Sequence, residues 1–231
     1  MVEQLVELEK NWFLTLNSPH TPYLDGVMYM ISDKYPWIVV GAIFLFLMLY
    51  KQKPKECVVF LLAVVLCIFI GDQLSSHIIK PLFSRFRPTH HPLTEAYVKT
   101  VLDYRGGNFG FISGHSTNFI SFATFTALLL RDRVYTLISF VVALTVCYSR
   151  IYLGVHFISD VIPGILCGLM VGWFVYLGYI RSRVLFLGIP EEHQIVPYVH
   201  PRSRIRYFSY LLLIFYVLLW AISPLLFPLY S

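Results

Sequence analysis

The chain has 231 residues, of which 57% are hydrophobic and 13% are charged, and its mean hydropathy is +0.67. A soluble domain carries about 25% charged residues, so this composition excludes an ordinary water-soluble domain and indicates a chain embedded in lipid. The net charge of +5 comes from basic residues in short clusters between apolar segments, a distribution that argues against a nucleic-acid-binding surface.

The first 33 residues are predicted to form helices that lie at the membrane interface. Residues 3–16 interleave apolar and charged side chains at helical spacing. A polar break with Pro19 and Pro22 follows, and then a second apolar stretch at 24–32. We interpret both stretches as interfacial helices rather than as a seventh membrane span. The N-terminus lacks a basic region followed by an apolar core, so no cleavable signal peptide is expected.

Six downstream segments approach the roughly 20 apolar residues that cross a bilayer. They cover about 35–50, 57–80, 115–131, 133–151, 157–180 and 207–229. The predicted fold class is therefore all-α, a polytopic membrane helix bundle with about six transmembrane helices. Its parts are the interfacial helices (1–33), a five-span catalytic core (34–180), a cytoplasmic loop (181–206) and the sixth span (207–231).

The basic residues in the short loops predict the orientation of the bundle. Lysines and arginines cluster after the first span, between the third and fourth, and between the fifth and sixth. With six spans these three loops share one side, which the positive-inside rule makes cytoplasmic. The 81–114 loop then faces outward, although it also holds basic residues.

Three polar clusters interrupt the apolar chain. They are Lys80 to Pro88, Ser113 to Ser116, and Ser149 to Asp160. In the six-span layout they lie at the end of span two, the start of span three and the junction of spans four and five. All three therefore meet the same face of the membrane, and intramembrane ionisable groups are expensive and usually functional.

The residue types in these clusters suit phosphate binding. Lys80, Arg87 and Arg150 supply three cations, and guanidinium groups match phosphate oxygens in pairs. Ser113 offers a hydroxyl group. Gly114 permits close backbone approach at the start of a helix, where free N–H groups favour an anion.

Two histidines accompany these phosphate-binding residues. His156 and Asp160 are four residues apart, so on a helix they would share a face, and the carboxylate could orient the ring as a nucleophile. His115 has no such partner nearby in sequence and is a candidate general acid for the leaving oxygen. Each piece also has a structural interpretation: a cation at a span end usually reaches to the interface, and a His–Asp pair is often a structural hydrogen bond.

Several other polar residues lie near the three clusters or elsewhere in the chain. Asp72 and Ser76 share a stripe of span two with Lys80, so we expect them to support Lys80 or to bond a neighbouring helix. Arg85 and Arg105 lie in the site-side loop, where contact with a headgroup is the less favoured interpretation. The remaining groups are predicted to be loop or packing residues: His77 in packing or at the interface, His90, His91, His193 and His200 in solvated loops, and Cys57, Cys67, Cys147 and Cys167 in apolar packing.

The three clusters together resemble a known signature. Lys-x6-Arg-Pro, then Ser-Gly-His, then Ser-Arg-x5-His-x3-Asp is similar to the motif set of the type 2 phosphatidic acid phosphatase superfamily. The resemblance implies that His156 attacks phosphorus to form a phosphohistidine, that Asp160 orients it and that His115 protonates the lipid oxygen. It further implies that Lys80, Arg87, Ser113, Gly114 and Arg150 hold the phosphate, with no metal and no cofactor. One departure is Ile112, where the family usually has proline.

The resemblance predicts a lipid phosphatase but leaves the lipid open. Undecaprenyl pyrophosphate, phosphatidylglycerol phosphate, phosphatidic acid and lipid A all offer a terminal phosphate. Two rival functions also stay open, a lipid phosphotransferase with the same site and an anion-binding transporter. We expect a bacterial inner-membrane protein with its active site facing the periplasm, whose partners are a lipid phosphate substrate and the bilayer, with no nucleic acid and no obligate protein partner.

Overall fold

A computed structural model describes residues 2–188 and 202–227, and these residues form helices joined by one long loop and several short turns. The helices are α1 (Val2–Asn17), α2 (Pro22–Ser32), α3 (Lys34–Leu49), α4 (Pro54–Asp72), α5 (Lys80–Phe83), α6 (Gly114–Leu130), α7 (Arg133–Tyr152), α8 (Ile158–Leu187) and α9 (Arg202–Leu226), with a π-helical segment (Gln73–Ile79) between α4 and α5. The predicted all-α class is confirmed. Extended pairing within the described stretches is limited to one bridge between Phe86 and Phe109.

The protein is a multi-pass membrane protein. By length and composition, four of its described helical segments could cross a membrane, or five if α2 and α3, bent by 50°, form one span. The α6 helix has 17 residues, so at about 1.5 Å per residue it is shorter than a hydrocarbon core of about 30 Å. It lies inside the bundle, packed against α4, α7 and α8. The predicted number of six spans is therefore not confirmed.

The N-terminal helices pack against the bundle as well as preceding it. The α2 helix begins at Pro22, capped by the Thr21 hydroxyl, and buries residues from Gly26 to Ser32 against α7 and α9. The α1 helix buries Val6 and Phe13 in a core cluster with residues of α6, α7 and α8. Whether residues 1–33 also lie at the membrane interface stays a prediction.

The connection between the last two helices is shorter than predicted. Helix α8 continues to Leu187, where Gly188 ends it with a φ of 62°, and α9 begins at Arg202. Helical backbone thus occupies parts of the predicted 181–206 loop. His193, His200, the rest of that loop (189–201), Met1 and residues 228–231 lie outside the described residues.

The contact between α6 and α8 positions the site. Small residues of α8 allow its backbone to approach α6 closely, because a Cβ atom at Gly168 would lie 2.6 Å from the carbonyl oxygen of Thr117. One turn earlier, Gly164 faces the carbonyl oxygen of Ser113. This close approach lets the backbone N–H of Ser113 donate to the carbonyl oxygen of Asp160 at 3.0 Å. The starts of the two helices are thereby fixed to each other.

Candidate active site

The three polar clusters predicted from the sequence meet at one end of the bundle. The end of the α4–α5 segment, the N-terminus of α6, the C-terminus of α7 and the N-terminus of α8 converge there. The loop at 84–113 folds back over them, held by the backbone N–H of Gly110, which donates to the carbonyl oxygen of Arg85. The convergence expected from alternating spans is therefore present in the structure.

His156 lies in the turn before α8 and not on a helix. Helix α8 begins at Ile158 with Phe157 as its N-cap, so the prediction that His156 and Asp160 share a helical face is wrong. Proximity arises in another way, because Asp160 turns back and its Oδ2 accepts a hydrogen bond from the Phe157 N–H at 2.9 Å. That oxygen lies 3.5 Å from Nδ1 of His156, and both side chains are buried.

The other ring nitrogen of His156 faces a cation. Nη1 of Arg87 lies 3.2 Å from Nε2 of His156, and a guanidinium group can only donate. We therefore assign the neutral tautomer with its proton on Nδ1, beside Asp160, and an unprotonated Nε2 whose lone pair faces Arg87. Burial, followed by the charges of Arg87, Arg150 and Lys80, lowers the pKa of His156 well below its ordinary value. The imidazole is thus neutral at neutral pH, as a nucleophile requires.

The charges of three cations act on this imidazole, and we name Lys80, Arg87 and Arg150 the cationic cradle. Within the described stretches, none of the three forms an ion pair with a carboxylate. Arg87 also donates to the carbonyl oxygen of Val155 at 3.0 Å. Burial and the nearby charge of Arg150 lower the pKa of Arg87 to about 10, so it stays cationic at neutral pH.

The third cradle residue, Arg150, is held by two neutral groups. Its Nη1 donates to the hydroxyl of Ser32, and its Nη2 lies 3.3 Å from the hydroxyl oxygen of Tyr104. Burial raises the pKa of the Tyr104 hydroxyl, but the charges of Arg150 and Arg87 outweigh burial, and the pKa falls below its ordinary value. Neither contact is with a carboxylate, so these two contacts form no carboxylate ion pair with Arg150.

The remaining predicted site residues complete the same region. Ser113 is fully buried and caps α6, its hydroxyl accepting from the Ser116 N–H at 3.4 Å. Gly114 follows directly, where an added Cβ atom would lie 3.7 Å from Nζ of Lys80. His115 hydrogen-bonds the backbone of Ser32 and lies within the electrostatic reach of all three cradle cations. The structure thus brings together the eight residues predicted to be catalytic or phosphate-binding.

The predicted supporting residues contact each other more than they contact the cradle. Ser76 donates to Oδ1 of Asp72 at 3.2 Å, and Nδ1 of His77 lies 3.9 Å from Oδ2 of the same carboxylate. Among the described side chains no hydrogen bond or ion pair joins Asp72 to Lys80, although the negative charge of Asp72 acts on Lys80. The π-helical segment that carries Ser76 ends immediately before Lys80, a distortion often found next to functional sites.

Sequence reasoning missed the environment of Arg85. Its side chain is 4% exposed, and its Nη1 donates to Oδ1 of Asp160 at 2.8 Å and to the hydroxyl of Ser159 at 2.6 Å. Its Nη2 contacts Oε1 of Glu9 at 2.5 Å. Because both of its terminal nitrogens bind these protein groups, Arg85 is directed away from a headgroup. The pairing with Glu9 joins residues 76 positions apart, and no periodic pattern in the sequence points to it.

His91 is a second correction. It was expected in a solvated loop but is 3% exposed, with its ring edge-on to Phe157 at 6.0 Å. The backbone N–H of Leu93 donates to its Nδ1 at 3.2 Å. The loop folds against the start of α8, which buries this side chain. His90 is half-buried and Arg105 is exposed, so contact of Arg105 with a headgroup stays a prediction.

Within the described ranges, no group of three or more His, Cys, Asp or Glu side chains is arranged to hold a metal ion. Cys67 and Cys147 are buried, and Cys57 and Cys167 are half-buried, all as free thiols.

Known proteins resemble this chain in sequence and in fold. Residues 58–183 match the sequence profile of the PAP2 superfamily. The chain is 52% identical over 187 residues to the lipid A 4′-phosphatase of Porphyromonas gingivalis, covering 81% of this chain and 79% of that one. It is 32% identical over 178 residues to the lipid A 4′-phosphatase of Bacteroides thetaiotaomicron, covering 76% and 79%. The crystal structure of a transmembrane PAP2-type phosphatidylglycerolphosphate phosphatase from Bacillus subtilis superposes with a TM-score of 0.60 at 23% identity, covering 78% of this chain and 87% of that one.

Proposed function

The chain belongs to the PAP2 superfamily and is an integral membrane lipid phosphatase, and we propose that it hydrolyses the 4′-phosphate of lipid A through a phosphohistidine intermediate. One observation carries the reaction: Nε2 of a neutral His156 lies beside Arg87 and within the electrostatic reach of Lys80 and Arg150, and no carboxylate among the described residues pairs with these three cations. A phosphate monoester supplies the missing negative charge and places phosphorus beside the nucleophile. The choice of lipid rests on the two relatives that are named lipid A 4′-phosphatases.

In the first step, Nε2 of His156 attacks phosphorus and the bond from phosphorus to the lipid oxygen breaks. The bound phosphate dianion offsets the cradle charges around His115, which takes up a proton from water as the substrate binds and gives it to that leaving oxygen. Positive charge develops on the His156 ring, and the carboxylate of Asp160, 3.5 Å from Nδ1, stabilises it. The cationic cradle, with Ser113 and the N–H of Gly114, holds the oxygens of the transferring group.

In the second step, water attacks the phosphohistidine and the phosphorus–nitrogen bond breaks. His115 now takes the proton of the attacking water, and inorganic phosphate leaves the cradle. Both ring systems return to their starting states, so no other reactant is consumed.

The proposed location is the inner membrane, with the site open to the periplasm. The site lies at the end of the bundle opposite the basic turns around Lys51 and Arg131, because those turns join the other ends of the same helices. Basic loops are retained in the cytoplasm. The interfacial placement of residues 1–33 and a single phosphatase domain over residues 1–231, with its catalytic core at 34–180, are part of the same proposal.

The test uses purified protein in detergent and four lipids, namely doubly phosphorylated lipid A, undecaprenyl pyrophosphate, phosphatidylglycerol phosphate and phosphatidic acid. Lipid A is expected to lose one phosphate, from its 4′ position, as followed by phosphate release and by the mass of the product. His156→Ala should lower this release by more than about 10³-fold, as removal of a nucleophile does.

The matched control is His90→Ala, which replaces a histidine of the 84–113 loop outside the cradle. Phosphate release by this variant should equal that of the unaltered protein. Full activity in His156→Ala would contradict the reaction. A clear preference for another lipid would replace the substrate while leaving the reaction in place. Labelled phosphate found on a second lipid rather than in solution would establish transfer instead of hydrolysis.

A further inference from the structure

Asp160 contacts His156 on one side and the charged Arg85 on the other. One carboxylate oxygen, Oδ2, lies 3.5 Å from Nδ1 of His156 and accepts from the Phe157 N–H. The other, Oδ1, accepts from Nη1 of Arg85 at 2.8 Å. The orientation and effective charge of Asp160 beside the nucleophile therefore depend on Arg85.

Arg85 is shared with a second carboxylate that comes from α1. Oε1 of Glu9 contacts Nη2 of Arg85 and accepts from the hydroxyl of Ser159, each at 2.5 Å. Its Oε2 accepts from the backbone N–H of Ser159 at 3.0 Å. We name Glu9, Arg85, Ser159 and Asp160 the Arg85 cluster. A glutamate is almost never buried without partners, and here three hydrogen bonds hold one.

The position of Glu9 is fixed by the docking of α1. Phe13, one turn further along α1, is fully buried and meets the ring of Phe157 at 5.1 Å. At the end of the helix, the side chain of Asn17 donates to the carbonyl oxygen of Tyr152 at 2.7 Å and accepts from the Lys99 N–H at 2.8 Å. The α1 helix is thus anchored to the turn that carries His156.

The charges of the Arg85 cluster do not cancel. Two carboxylates share one guanidinium group, so the cluster carries a net charge of one negative unit when both acids are ionised. Without Glu9, the whole positive charge of Arg85 would act on Asp160 and reduce the negative potential at His156. The same loss would remove both hydrogen bonds from Ser159 to Glu9. Ser159 lies directly before Asp160 at the start of α8.

We propose that Glu9 is a positioning residue of this phosphatase, which shares Arg85 with Asp160 and so keeps the Arg85 cluster net negative and the Asp160 carboxylate directed at His156. The inference rests on the proposed function, in which His156 is the nucleophile. Glu9 lies outside residues 58–183, the part of the chain that matches the family profile. The α1 helix is therefore part of the catalytic apparatus and not only an anchor.

The test compares Glu9→Gln with Glu7→Gln, an exposed acid on the same helix. Glu9→Gln should lower kcat about 10-fold, the scale on which hydrogen-bonded partners of functional groups act, with KM little changed. Inhibition by inorganic phosphate should keep its strength, because the cationic cradle binds phosphate without Glu9. Glu7→Gln should match the unaltered protein in all three measurements.

A general loosening of the bundle would instead weaken phosphate inhibition together with kcat, and that result would overturn the inference. So would a kcat for Glu9→Gln equal to that of Glu7→Gln. Thermal melting in detergent identifies a variant that fails to fold; Glu9→Asp, which keeps the charge on a shorter side chain, then takes its place and should lower kcat by less.

A second background tests the route through Arg85. In Arg85→Gln, adding Glu9→Gln should cost no further kcat or restore part of it, since the two carboxylates no longer share a cation. A further 10-fold loss in this background would show that Glu9 acts by another route, and the inference would fail. If the unaltered protein itself releases no phosphate, the proposed function fails, and this outcome is distinct from every comparison between variants.

Discussion

Two groups of arginines near His156 are used in opposite ways. Arg85 is surrounded by two carboxylates and a serine hydroxyl. Arg87 and Arg150 contact hydroxyl groups, a backbone carbonyl and histidine, and no carboxylate in the described residues pairs with either. The charge of Arg85 is therefore paired within the protein, whereas the charges of Arg87 and Arg150 are left without an anion among the described residues.

The difference has an energetic meaning. A buried cation is stable when carboxylates pair it, and it is costly when they do not. The Arg85 cluster is complete before any substrate arrives, so it can hold Asp160 in a fixed geometry. The cationic cradle repels itself until a phosphate group enters, so binding energy is available there for an anion with two negative charges.

Replacement of one arginine from each group should separate the two uses most strongly. Arg150→Gln should lower kcat/KM for lipid A about 10²- to 10³-fold, as loss of one group that stabilises developing charge does. Its melting temperature should not fall, because the remaining cradle cations repel each other less. Arg85→Gln leaves Asp160 and Glu9 as buried acids without a counter-ion, which should cost about 3 kcal/mol of stability. Phosphate release and thermal melting in detergent measure both effects.

Arg133→Gln is the matched control, since Arg133 is exposed at the start of α7, at the opposite end from the site. It should change neither measurement appreciably. Equal loss of stability in Arg85→Gln and Arg150→Gln would contradict the division into a complete and an incomplete cluster.

The cradle could be predicted from the sequence and the Arg85 cluster could not. Lys80, Arg87 and Arg150 stand at the ends of apolar segments, and the alternation of spans brings those ends to one face whatever the packing details. The partnership of Arg85 with Glu9 depends on how α1 docks, over a separation of 76 residues. An amphipathic helix with an acidic face is normally solvated on that face, so the pattern gave no sign of burial.

The pairing of His156 with Asp160 shows a partial success of a different kind. Their spacing correctly predicted proximity, but the helix on which it was based begins only at Ile158. Asp160 reaches back as the cap of α8, and a spacing of four residues allows contact across a helix start as well as along a helix. Spacing alone does not distinguish these two geometries. The predicted count of six spans is likewise not confirmed, because α6 is short and enclosed by other helices.

The pH dependence of the reaction measures how strongly the cradle acts on the nucleophile. Burial and the cradle charges lower the pKa of His156, and a histidine loses its nucleophilic lone pair only as the pH falls through that lowered pKa. The acid limb of kcat/KM should therefore lie below the ordinary histidine pKa of about 6.5. In Arg87→Gln the limb should move to higher pH, since one of the charges that oppose protonation is removed. Phosphate release from pH 4 to 8 (about the range in which a perturbed histidine titrates) provides the profile.

Arg133→Gln again serves as the comparison, because its charge lies at the far end of the bundle; its acid limb should coincide with that of the unaltered protein. A limb that stays in place in Arg87→Gln would mean that burial alone keeps His156 neutral. The cradle would then bind phosphate without tuning the nucleophile.

The smallest effect concerns Tyr104, which holds Arg150 through a neutral contact rather than a charged one. Tyr104→Phe removes the hydroxyl 3.3 Å from Nη2 of Arg150 but keeps the ring that stands 5.7 Å from its guanidinium carbon. Loss of one hydrogen bond to a partly exposed site should raise KM by about fivefold at most, with kcat unchanged. Tyr97→Phe, at an exposed position of the same loop, should leave KM as it is. A fall in kcat as large as that of Arg150→Gln would place the Tyr104 hydroxyl among the groups that touch the reacting phosphate, and the cradle would then have a fourth member.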